Sequence, residues 1–146
     1  MIPLKDENPT NKKPIVSYCI IGFCVVIFLA QLGLSESELR DFTYSYGLIP
    51  SVLMGIDQLP NDLFKISPVG TIFTSMFMHG GWMHLIGNML YMWIFADNIE
   101  DDLGKLNFVI FYLICGIGAA MSQVLMDINS QIPMIGASGA IGGVLG

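Results

Sequence analysis

The fold of this chain turns on the stretch Ile15-Val16-Ser17-Tyr18-Cys19-Ile20-Ile21-Gly22-Phe23-Cys24-Val25-Val26-Ile27-Phe28-Leu29-Ala30-Gln31-Leu32-Gly33-Leu34, in which no residue carries a charge. A helix of about 20 such residues crosses the hydrocarbon core of a bilayer. A cleaved signal peptide is the competing reading. The run exceeds the usual apolar region of about 7–15 residues, however, and no small-x-small cleavage site follows. The stretch reads as a retained first span. Ahead of it, residues 1–14 are polar, with Pro3, Pro9, Pro14, Lys5, Lys12 and Lys13, and form a short tail.

Composition agrees. Hydrophobic residues make up 53% of the 146, charged residues only 12%, and the mean hydropathy is +0.65. Soluble domains carry about 25% charged residues, so the class is an integral membrane protein. The net charge of -6, with six Lys or Arg, argues against nucleic acid as a partner. Cys19, Cys24 and Cys115 all lie in apolar segments, without paired spacing for zinc or a disulfide framework, and read as small buried hydrophobes.

Further spans follow at about 82–96, 106–126 and 135–146, giving an all-α membrane bundle of about four spans, the last cut short by the end of the chain. Between the first two spans lies a long first loop, 35–81, too apolar to be disordered. Gly47, Pro50, Gly55, Pro60 and Pro68 divide it into short pieces suited to the membrane interface. With the N-terminus cytoplasmic, Lys5, Lys12, Lys13 and Lys105 fall inside and only Arg40 and Lys65 outside, as the positive-inside rule prefers. Ser138 and His84 then both lie toward the outer half of the membrane.

Polar side chains inside apolar spans are functional-site candidates by default. His84 and Asn88 are four apart, so one helical face carries both. Alone, such a pair more often bonds one helix to another. Ser138 stands in Gly136-Ala137-Ser138-Gly139-Ala140, and the glycine pairs 139/143 and 142/146 have G-x-x-x-G spacing. A serine there is commonly a small packing residue. Pro133 and a turn at Gly136, however, put Ser138 in the first turn of its helix, where backbone N–H groups lack intrahelical partners and favour negative charge. A serine nucleophile so placed brings donors for the oxyanion it creates.

These motifs together resemble the rhomboid family of intramembrane serine proteases. Supporting matches are Tyr46-Gly47-Leu48-Ile49-Pro50, Thr74-Ser75-Met76-Phe77-Met78-His79-Gly80-Gly81-Trp82 and Glu100-Asp101-Asp102-Leu103-Gly104. The resemblance implies that Ser138 is the nucleophile, that His84, Asn88 and the Ser138 backbone N–H line the oxyanion hole, and that Gly136 belongs to the same turn. It implies transmembrane segments of other proteins as substrates, a lipid bilayer as surroundings, and no metal or organic cofactor. The family's Ser–His dyad takes its base from a later helix, and His79 and His84 both match positions before it. The 146 residues alone are therefore expected to be inactive or nearly so, as a piece of a longer enzyme. The alternatives are an inactive rhomboid-like protein that binds transmembrane clients, and a site in which His84 itself is the base. Transport is disfavoured, because the spans carry no Asp, Glu, Lys or Arg. The short tail and the lack of a transit peptide point to a prokaryotic plasma membrane.

Overall fold

A computed structural model describes residues 13–146, and all its regular elements are helices. Most of the expected tail lies outside the described residues. Helix α1 spans Ile15–Leu32 and ends where Gly33 and Leu34 donate to the carbonyls of Ala30 and Gln31. The first loop folds into three short helices, α2 (Glu36–Tyr46), α3 (Pro50–Leu53) and α4 (Pro68–Ser75). Their boundaries follow local chemistry. Ser35 and Glu38 form a reciprocal capping box at the start of α2. Pro50 and Pro68 occupy first turns, where a missing N–H costs nothing. Ser67 accepts from the Gly70 amide at 3.2 Å.

Helix α5 runs Trp82–Leu103, seven residues beyond the expected end at 96. The acidic cluster does not terminate it, because one of its members faces inward. Glu100 is buried, and its carboxylate accepts from Val16 N (3.0 Å), Ser17 N (2.8 Å) and Ser17 Oγ (2.8 Å). Those amides sit at the start of α1, where no intrahelical acceptor exists. Pro14 offers α1 no side-chain cap, and α5 supplies the missing acceptor and a negative charge at the positive end of the helix dipole. Gly104, at φ 77°, is the single residue between α5 and α6 (Lys105–Met126). This backbone region strains any residue with a Cβ.

Helix α7 covers Ser138–Val144, beginning three residues later than expected at 135 because residues ahead of it pair with other segments. It lies against α6 and α5. Ala137, Ala140, Ile141 and Val144 are buried with Met92 and Ala96 of α5 and Phe108 and Tyr112 of α6. The glycines of the 139/143 pair form its contact with α6. A Cβ on Gly139 would lie 2.5 Å from the Ala119 Cβ, and one on Gly143 would collide with Cys115. The 142/146 pair has no such neighbour.

Among the described residues two helices, α1 and α6, are long and apolar enough to cross a membrane. Helix α5 carries His84, Asn88, Asp97 and Asn98 among its apolar residues, and α7 has seven residues.

Candidate active site

The site is built on the segment that leads into α7. Met134 and Leu48 pair as an antiparallel bridge, with Leu48 N donating at 3.0 Å and Met134 N at 2.7 Å. Two residues on, the Gly136 amide donates to the Ser75 carbonyl at the end of α4, at 2.8 Å. The turn is thus held by the first loop and by α4, and α4 in turn is tied to α2 where Thr74 Oγ1 donates to the Tyr46 carbonyl at 2.6 Å.

Gly136 adopts φ +132°. A Cβ there would lie 2.6 Å from His84 Cε1, 2.7 Å from His84 Nε2 and 3.6 Å from Ser138 Oγ. The imidazole of His84 and the hydroxyl of Ser138 therefore face one point beside the Gly136 α-carbon, a point that only glycine leaves open. Ala137 precedes the helix, and Ser138 is its first residue, exposed. A cavity of about 160 Å³ opens beside it, lined by Ser75, Ala119, Gln123, Gly136 and Ser138 among others.

Asn88 is buried one turn deeper on α5, on the His84 side, and its Nδ2 lies 3.0 Å from His79 Nε2. His79 is 1% exposed, and its ring meets that of His84 edge-on at 5.1 Å between centroids. Burial, reinforced by the neighbouring His84, lowers the His79 pKa to about 4. The imidazole is neutral at pH 7.

Ser138, Gly136 and His84 thus converge, and Asn88 joins them through His79. The sequence places His79 in the stretch leading into the second span, ahead of the dyad position, and gives it no role in the site. Its signal was the one that singled out His84: a polar ring among apolar neighbours. Gln123 carried a similar signal within the third apolar run. Among the described residues no three of His, Cys, Asp and Glu gather to hold a metal ion.

The fold is an all-helical bundle in which Ser138 begins a helix and His84 approaches it beside Gly136. A rhomboid domain model matches residues 67–146, more than half the chain, and the chain belongs to the rhomboid family. It is 37% identical over 125 residues to RHOMBOID-like protein 4 of Arabidopsis thaliana, covering 86% of this chain and 31% of that protein. It is 27% identical over 136 residues to rhomboid protease GluP of Bacillus subtilis, covering 93% of this chain and 24% of that protein. The putative rhomboid protease YdcA of the same bacterium is 33% identical over 79 residues, covering 51% of this chain and 37% of its own length. The chain spans between 20% and 37% of the length of the curated relatives it matches.

Proposed function

We propose that this chain is the nucleophile-bearing part of an intramembrane serine endopeptidase that cuts transmembrane segments of other membrane proteins. The observation that carries the reading is the approach of His84 and Ser138 to one point beside Gly136. A scissile carbonyl placed there meets a hydroxyl on one side and an imidazole on the other.

Ser138 Oγ attacks the carbonyl carbon, and its proton passes to a general base. The C–O bond forms as the carbonyl oxygen takes the negative charge. The Ser138 backbone N–H, a ring N–H of His84 and the Asn88 carboxamide stabilise that oxygen. The base then protonates the leaving amine as the C–N bond breaks, and water releases the acyl group by the same route. With His79 bonded to Asn88 and His84 assigned to the oxyanion, the base in this reading is the histidine that the family carries on a later helix. General-base help is worth roughly 100- to 10,000-fold, and the 146 residues alone would be inactive or nearly so. The protein is multi-pass in a prokaryotic plasma membrane, with its N-terminus cytoplasmic and the site toward the outer face.

A fluorophosphonate probe tests this on the full-length protein in liposomes. Covalent labelling is expected, lost in Ser138→Ala. Folded protein that takes up no label at Ser138 would overturn the endopeptidase reading and favour a non-catalytic protein that binds transmembrane clients.

A further inference from the structure

Resting on the endopeptidase reading, we propose that His79 is the positioning residue of the oxyanion pocket: its Nε2 accepts a hydrogen bond from Asn88 and so fixes the carboxamide with nitrogen, not oxygen, at the corner it shares with the substrate.

An Asn side chain ends in an acceptor oxygen and a nitrogen with two N–H donors, related by a half-turn about one bond. The Asn88 terminus is buried, so its protein partner decides which orientation holds. That partner is His79 Nε2, at 3.0 Å. With the ring proton on Nδ1, Nε2 presents a lone pair and takes one N–H of Asn88. The second N–H of the same nitrogen is left for an oxyanion. With the proton on Nε2, or on both nitrogens, the ring donates instead. The carboxamide must then turn, and an oxygen stands where a negatively charged oxygen has to be received.

The ring of His79 is fixed in place, and with Nδ1 making no hydrogen bond, Asn88 is the partner of its nitrogens among the described residues. Its ring is enclosed, with His84 against it edge-on. Its backbone amide reaches Gln31 Oε1 of α1 at 3.4 Å, and Gln31 is itself buried. His84 on α5 is the titratable group facing it among the described residues. From α1 the polar neighbour is Gln31, and from α2 Leu39 and Thr43 line the adjoining cavity; none of these titrates. The proton on the His79 ring therefore sets the polarity of Asn88 without His79 touching substrate.

Two variants separate positioning from bulk structure. His79→Phe keeps a ring and removes the acceptor. His79→Gln keeps a carbonyl acceptor and removes titration. On the full-length protein in liposomes, His79→Phe is expected to lower kcat by about 100- to 1,000-fold, the usual loss of one oxyanion donor. KM for a single-span substrate should stay within about twofold, since ground-state binding is untouched. His79→Gln is expected to keep kcat within about tenfold of wild type, and its activity should no longer fall at acid pH through the His79 titration. In ¹⁵N spectra of the wild type, the unprotonated nitrogen of His79 is expected to be Nε2. The Asn88 side-chain amide signals should move in His79→Phe. Unchanged kcat in His79→Phe, equal losses in both variants, or a proton on Nε2 at neutral pH would overturn the proposal. Should wild type fail to label at Ser138, the endopeptidase reading falls on its own, and the spectra still decide the hydrogen bond. A His79→Phe variant that fails to fold leaves that decision to the wild-type spectra and the pH profile of His79→Gln.

Discussion

At Gly136 one missing methyl group separates a serine beside an imidazole from a serine walled off. An added Cβ would overlap the His84 ring and sit at φ +132°, where side chains are strained. Gly136→Ala is expected to reduce fluorophosphonate labelling of Ser138 by more than about 100-fold, on the scale of losing an oxyanion donor, as gel fluorescence would read. His79 makes a prediction about stability. Its pKa falls from 6.5 when unfolded to about 4 when folded, mainly through burial. Between those values the unfolded chain binds a proton that the folded one refuses, so stability declines as pH drops through this window and levels off below it. A loss of about 1–3 kcal/mol is expected in denaturant titrations of the detergent-solubilised protein. His79→Gln should flatten that part of the profile.

Between helices, the main fixtures are a carboxylate and two glycines. Glu100→Ala strips three donors of α1 of their acceptor and is expected to cost about 3 kcal/mol, seen as a lower Tm. Glu100→Gln should retain part of this, because a neutral oxygen still accepts. Gly143→Ala drives a methyl into Cys115 and is expected to destabilise by about 1–3 kcal/mol. The exchange Cys115→Gly with Gly143→Ala moves the bulk across the contact and should recover much of the loss. The readability of these elements in the sequence varied with the range of the forces. Helices α1 and α6 announce themselves as long apolar runs, and Pro50 and Pro68 mark the starts of α3 and α4. The end of α5 was hidden, because four acids read as a solvated terminus until Glu100 finds the amides of Val16 and Ser17 more than eighty residues earlier. The late start of α7 was hidden likewise. Backbone pairing of Leu48 with Met134 involves no side chain, so residue types do not encode it. Ser138, His84, Asn88 and Gly136 are grouped in the sequence by the motifs they share with a known family, whereas the bond from Asn88 to His79 requires the folded turn between α4 and α5.

For the molecule as a whole, the apolar lengths of α1 and α6 set an expectation of their own. The protein should stay with the membrane pellet after alkaline carbonate washing and be released by detergent, as immunoblotting of both fractions would read.

The bridge between Leu48 and Met134 does not act alone. Ser51 N donates to the Ser130 carbonyl at 3.0 Å, and Gln131 Nε2 to Asp57 Oδ2 at 2.9 Å. Residues 48–57 and 130–134 are thus tied to each other at several points along their lengths. Whatever parts the two segments would displace Met134 and, four residues on, Ser138 at the start of α7.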